Sequence, residues 1–316
     1  MRPSASVVIC TYNRSSYLND TLVGLQGLSG YDFEVIVVNG PSTDDTDEIL
    51  KSWSSVYKVA NVYEANLSAS RNTGIKHASG DVVCFFDDDA VPHPMWLEHI
   101  MPHYASSQVG GVGGFTIDNT GKEFQVKKTI CDRYGNAHFI SDYIDERPFN
   151  KVDSPFYPSL LGTNSSFRRE YLEEIGGFDE SFAYLLDETD VCLRMVDAGY
   201  KVVYEADALV YHQFAPSHIR DSRRVPRTLY PSALSKSYFI TRHGARLNPI
   251  KADEELRAYR TNVFADNNWL SDEGLITSSH KLSLDEDLEV GIKDGVQRAK
   301  ENAGERRGNL KPLDSS

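Results

Sequence analysis

The stretch 80-GDVVCFFDDDAVP-92 runs an apolar segment straight into three consecutive carboxylates, Asp87, Asp88 and Asp89. Its apolar residues are continuous rather than alternating, as in a strand covered on both faces. Neighbouring carboxylates repel and raise one another's pKa unless something neutralises them. A solvated turn or a helix N-cap is the undemanding reading of such a cluster. The demanding one is a divalent cation held by carboxylate oxygens.

Upstream, the chain alternates between two periods. The runs 6-SVVIC-10, 33-FEVIVV-38 and 56-VYKVANVYE-64 have strand character. Between them lie a stripe of Leu18, Leu22, Leu25 and Leu28 closed by glycine, a segment carrying Ile49, Leu50 and Trp53, and 66-NLSASRNTGIKHASG-80, all with helical character. Strand and helix units of this length predict right-handed crossovers and a mostly parallel central sheet with helices on both faces. In such a sheet ligands are expected at the carboxyl ends of the strands. Downstream, 93-HPMWLEHIMPHY-104 reads as a helix and 109-VGGVGGFTI-117 as a glycine-rich strand. Residues 118 to 154 read as a polar insertion or a strand pair lining a cleft. A strand, a turn and a short helix follow, then a helix ending at Gly199 and two short strands up to His212. Trp53 and Trp96 are expected in the core.

The totals fit a globular chain with a sizeable core. In 316 residues, 40% are hydrophobic and the net charge is −13, which argues against a general nucleic-acid binder. The four cysteines, Cys10, Cys84, Cys131 and Cys192, show no close pairing, so buried free thiols in a reducing compartment are expected. No stretch approaches about 18 apolar residues and the start lacks a signal-peptide pattern, so the expected location is cytoplasmic, with peripheral contact to a membrane left open.

Polar clusters punctuate the strand ends: 11-TYNR-14, 39-NGPSTDD-45, the acidic run at 87 to 89, and 187-DETD-190 at the start of a later helix. Singly, each suits a turn or an N-cap. Together they outline a crevice along one sheet edge. Their order, with 68-SASRNTG-74, 161-LGTNSSFRREYLEEIGGFDE-180 and 210-VYH-212, resembles the family 2 glycosyltransferases of GT-A fold, over about residues 5 to 212. The resemblance implies a Rossmann-like GT-A domain over residues 1 to 215, with a nucleotide-sugar half at 1 to 115 and an acceptor half at 116 to 215. It also implies inverting transfer of a sugar from a nucleotide-diphospho-sugar to a hydroxyl acceptor, using Mn²⁺ or Mg²⁺. A UDP-sugar is the first expectation for the donor, with dTDP- or GDP-sugars as alternatives. The acceptor is a saccharide, a lipid-linked molecule or another hydroxyl compound.

Carried over residue by residue, the resemblance places Asp87, Asp89 and His212 at the metal. It places Thr11, Tyr12, Arg14, Asn39, Arg71, Asp87 and Asp88 at the nucleotide. Asn39 stands where the family usually has Asp, so it keeps an acceptor but loses charge and gains a donor. Glu188 falls on the catalytic base and Asp187 on the acid that orients the acceptor, with Asp187 as the alternative base; Gly162, Thr163 and Asn164 complete the acceptor side. A base is needed because a hydroxyl is a poor nucleophile while it keeps its proton. Asp190 and Arg194, four apart on the helix, read as a simple pair.

Residues 216 to 250 carry Arg220, Arg223, Arg224, Arg227, Lys236, Arg242 and Arg246 against the single acid Asp221. A cover closing over the donor diphosphate is the sharper reading, a membrane-facing surface the other. Residues 251 to 316 read as a charged helical extension, disordered in part. A retaining transferase, a nucleotidyltransferase and a non-catalytic sugar-nucleotide-binding subunit are the competing readings of function.

Overall fold

The computed structural model describes residues 3–182 and 184–304. The expected disorder at the far C-terminal end therefore concerns residues, 305 to 316, outside the described ones.

The first half is the expected alternation: β1 (Ala5–Thr11), α1 (Ser15–Leu25), β2 (Phe33–Asn39), α2 (Thr46–Trp53), β3 (Lys58–Asn61), α3 (Leu67–His77) and β4 (Val82–Asp87). The four strands pair in parallel in the order β3-β2-β1-β4, with Thr11 level with Asn39 at the carboxyl edge. Alternate residues of β1 point into two separate apolar layers. Val7 and Ile9 join Leu18, Leu22, Leu25 and Trp96 on one face, while Val8 joins Ile36, Phe85, Phe167 and Phe178 on the other. Both faces are thus covered, which is why these strands are apolar throughout.

Past β4 the sheet becomes mixed. The segments β5 (Ala90–Pro92), α4 (Trp96–Ile100), β6 (Val109–Ile117) and β7 (Phe124–Val126) lead into a small antiparallel sheet of β8 (Lys128–Asp132), β9 (Ala137–Ile140) and β10 (Phe156–Pro158). Next come β11 (Ser165–Arg168), α5 (Arg169–Glu174), α6 (Asp187–Asp197) and β12 (Lys201–His212). β11 enters antiparallel between β4 and β6, and β12 runs parallel to β6 and antiparallel to β5. The two short strands expected before His212 are one strand, with a register shift between Glu205 and Leu209. Pairing of β12 with β5 sets His212 opposite Ala90, one residue beyond the acidic run.

The C-terminal part is helical: α7 (Tyr230–Phe239), a single wide turn over Ile240–Gly244, α8 (Ala245–Leu247), α9 (Pro249–Asp272) and α10 (Ser278–Glu301). Gly291 lets α10 press onto α7, because a Cβ there would sit 2.7 Å from both Ala233 Cβ and the Tyr230 carbonyl oxygen. α7 in turn supports the site from behind: Ser235 Oγ accepts from the Tyr184 amide at 3.2 Å, and Tyr238 donates to buried Asp179 at 2.7 Å. Among the described residues no helix is long and apolar enough to cross a membrane, and all four cysteines are free. Trp96 is fully buried, whereas Trp53 is half-buried and stacks on Tyr57.

Candidate active site

The carboxyl ends of β1 and β4, the start of α6 and the end of β12 enclose one cleft of about 310 Å³. Asp87 and Asp89 face it from one side and His212 from the other. Asp89 Oδ1 lies 3.3 Å and Asp87 Oδ2 lies 3.8 Å from His212 Nε2. One ligand atom from each of the three falls within 4.8 Å of the others. Two carboxylate oxygens and an imidazole nitrogen make a donor set that suits Mn²⁺, and Mg²⁺ less well.

The protein itself supplies part of the neutralisation that three adjacent acids require. Arg14 Nη1 lies 3.3 Å from Asp89 Oδ2, its Nε lies 3.9 Å from Asp88 Oδ1, and the Ala215 amide donates to Asp89 Oδ2 at 2.7 Å. Burial raises the Asp89 carboxyl, but His212, Arg14 and the Ala215 amide outweigh it and hold Asp89 at about 2. Asp88 is different. Burial outweighs Arg14 there and pushes its pKa up to about 7. The strand tip therefore carries one firmly ionised acid beside one that gives up its charge easily.

Across the floor of the cleft, Arg71 links the metal candidates to the acids of α6. It is 4% exposed, pairs directly with Asp187 Oδ2, and lies 3.7 Å from Glu188 Oε2 and 3.9 Å from Asp87 Oδ1. Burial works against the Arg71 charge, yet Asp187, Glu188 and Asp87 together raise its pKa. Gly162 has no side chain because a Cβ there would meet Arg71 Nη2 at 2.6 Å. Glu188 is raised well above the usual carboxylate range, first by burial and then by the charge of Asp187. Two consecutive left-handed residues, Leu185 (φ 67°) and Leu186 (φ 65°), deliver the chain into α6. Neither has the glycine or asparagine that such a backbone favours, and strain of this kind collects at functional sites.

At the other end, Thr11, Tyr12, Arg14 and Gly40 line the cleft, with Tyr12 set edge-on to His218 at 5.3 Å. Asn39 does not line it. Its Nδ2 donates to Asp47 at 2.6 Å and its Oδ1 accepts from Ser42 at 2.8 Å, so its amide is engaged inside the β2–α2 turn. Gly162 and Thr163 line the cleft, and the Thr163 hydroxyl accepts from the Asp87 amide at 3.3 Å. Asn164 lies beneath it, fully buried. It accepts from Trp96 Nε1 at 2.9 Å and the Gly114 amide at 3.3 Å, and donates to the Phe115 and Ala208 carbonyls at 2.9 and 3.0 Å. Adjacency to Gly162 and Thr163 in sequence hid this inward orientation. Asp190 forms the expected pair with Arg194, at 2.6 Å, and is buried, held also by His243 at 2.8 Å.

Of the basic run, Arg220 and Arg224 face the cleft, from a turn in which the Ser217 amide donates to Arg220 and the Arg227 amide to Ile219. Arg224 also lies over the Phe214 ring at 4.4 Å. Arg223 pairs with Asp221, Lys236 donates to the Tyr134 and Gly135 carbonyls, and Arg242 and Arg246 reach the carbonyls of Asn302 and Ala303. Tyr184, Gln125 and Glu64 line the cleft as well. They carry no sequence signal beyond lying near the polar clusters. Cys10 also lines it, but burial pushes its thiol up to about 12, which removes it as a nucleophile at neutral pH.

Residues 6–176 match the model of glycosyl transferase family 2, more than half of the chain. The chain belongs to that family. Among its relatives, glycosyltransferase AglE of Haloferax volcanii is 29% identical over 227 residues, covering 68% of each protein. The glucosyl-dolichyl phosphate glucuronosyltransferase of the same organism is 26% identical over 256 residues, 72% of this chain and 79% of that one. A mannosyltransferase of Pyrobaculum calidifontis, solved with GDP-Man and Mn²⁺, superposes with a TM-score of 0.52 over 96% of this chain and 87% of its own, at 17% identity. That likeness establishes the GT-A fold. The family 2 membership makes the protein a glycosyltransferase.

Proposed function

We propose that this family 2 enzyme is a metal-dependent inverting transferase. It would move a sugar from a nucleotide-diphospho-sugar to a hydroxyl of a saccharide or lipid-linked acceptor. The observation that carries the reading is the placement of Asp87, Asp89 and His212 in one cleft with Glu188 and Asp187, joined through Arg71. Six carboxylates (Glu64, Asp87, Asp88, Asp89, Asp187, Glu188) and four arginines (Arg14, Arg71, Arg220, Arg224) line it. The end of the cleft that holds Asp87 and Asp89 repels a diphosphate unless a cation lies between them, and that cation when bound would act as a Lewis acid for the departing diphosphate. Asp87, Asp89 and His212 would hold that cation, while Arg220 and Arg224 would close over the phosphates and keep out water.

Glu188 would take the acceptor proton as the hydroxyl attacks the anomeric carbon opposite the leaving group, which inverts it. Asp187, held by Arg71, would orient the acceptor beside Gly162 and Thr163. The nucleobase would rest on Tyr12 near Gly40. The engaged amide of Asn39 leaves the choice among UDP, dTDP and GDP to the groups around it. In this division residues 1 to 115 serve the donor, residues 116 to 215 the acceptor, and the turn at 217 to 227 covers both. Calorimetry with UDP, GDP and dTDP, each with and without Mn²⁺, tests the donor half of the proposal. Binding of no nucleotide under saturating Mn²⁺ refutes it. The anomeric coupling of the product, read by proton NMR, tests inversion.

A further inference from the structure

β7 is a three-residue strand on the edge of β6, and its pairing is irregular. Phe124 lies opposite Ile117 and Val126 opposite Thr116, so Gln125 is the extra residue of a bulge. A bulge re-aims the side chain it carries. Here it turns Gln125 into the cleft, where Oε1 lies 2.9 Å from His212 Nδ1. The other ring nitrogen, Nε2, is the one that faces Asp89 and Asp87. Phe214 meets the imidazole edge-on, with ring centroids 4.9 Å apart, and limits its rotation.

A neutral imidazole binds a cation through a nitrogen that carries no proton, and which nitrogen that is depends on the hydrogen bond made by the other. An amide oxygen accepts and does not donate. With a cation between Nε2 and the two carboxylates, Gln125 Oε1 therefore keeps the proton on Nδ1 and leaves the Nε2 lone pair to the cation. We propose that Gln125 is a positioning residue that selects the tautomer and orientation of His212 as the nitrogen ligand of the cation. The proposal rests on the reading of Asp87, Asp89 and His212 as the metal site. It adds an outer partner, supplied by an edge-strand bulge in the polar insertion, and outer partners of this kind are worth about 10–100-fold in metal affinity.

The test measures Mn²⁺ binding to the full chain by loss of the free aqua-ion signal in electron paramagnetic resonance, with UDP and with GDP in parallel. Nitrogen modulation in pulsed spectra reports coordination by histidine. The wild type is expected to bind Mn²⁺ with that modulation, and His212→Ala to lose it. Gln125→Leu, which cannot accept a hydrogen bond, should weaken binding about 10–100-fold and reduce the modulation, while Gln125→Glu, which can accept, restores both. Gln125→Lys offers only a donor and should behave as the leucine variant does, so the test survives if one of the two fails to fold. Wild-type affinity and modulation in a folded Gln125→Leu or Gln125→Lys protein, alongside their loss in His212→Ala, overturns the role of Gln125. Absence of histidine modulation in the wild type instead overturns the metal site itself.

Discussion

Glu188→Gln separates the two acids of α6. Asp187 is 3% exposed at its side chain and tied directly to Arg71, so its oxygen is already engaged. Glu188 is 14% exposed, stands 3.7 Å from the same guanidinium, and is raised well above the usual carboxylate range by burial and by Asp187. A raised pKa makes it the stronger base, and the cleft gives it access to a hydroxyl. Glutamine keeps its size and cannot take a proton. Loss of a general base costs about 10²–10⁴-fold in kcat, equivalent to about 2.7–5.5 kcal/mol. Nucleotide affinity with Mn²⁺ should stay within about twofold, since Glu188 is not among the proposed nucleotide contacts. The base works only when deprotonated, so wild-type kcat should rise with pH through the elevated Glu188 value, and the variant should lack that limb. Steady-state rates across pH together with calorimetry of the Mn²⁺–nucleotide complex make the assay. Turnover within threefold of wild type, or an unchanged acid limb, refutes the assignment; if the acid limb instead disappears in a folded Asp187→Asn protein, the base is Asp187.

Three further outcomes are expected. Asp190→Asn removes a buried carboxylate from Arg194 and His243, and breaking a buried pair costs about 3–5 kcal/mol. The folded Asp190 pKa is lowered, with burial outweighed by Arg194 and then His243, so its stabilisation is complete above the unfolded value of about 3.9 and fades as pH falls below it. Denaturant melts at pH 7 and pH 3 should show the gap from wild type shrinking in acid. Gly291→Ala forces a methyl against a backbone carbonyl and Ala233, and should cost about 1–3 kcal/mol in thermal unfolding, with larger side chains worse. Arg220→Ala with Arg224→Ala should weaken nucleotide diphosphate binding by at least about tenfold and leave nucleoside binding unchanged; equal loss for both ligands would assign these arginines to the base instead.

Much of the fold was legible. The parallel half could be read from continuous apolar runs, because a strand covered on both faces must be apolar at every position, and Val7, Val8 and Ile9 are each fully buried. The acids at 87 to 89 were legible for the opposite reason, since charge at the end of such a run needs a compensating partner. Asn164 was harder to place. It shares a motif with two residues that line the cleft, and only the entry of β11 between β4 and β6 turns it inward to four partners. Gln125 has no local signature at all, because a bulge is a mismatch between two strands and not a property of one.

Strands, helices and the polar tips between them follow from neighbours a few residues apart, whose periodicity and charge are written along the chain. Which acid meets which cation does not. Arg14 reaches Asp89, Arg71 reaches Asp187, and the Ala215 amide reaches Asp89 across 75, 116 and 126 residues. Burial and pairing over such distances hold Asp89 ionised, lift Asp88 towards neutrality and leave Glu188 the more basic acid, and these appear only when the sheet has closed around them.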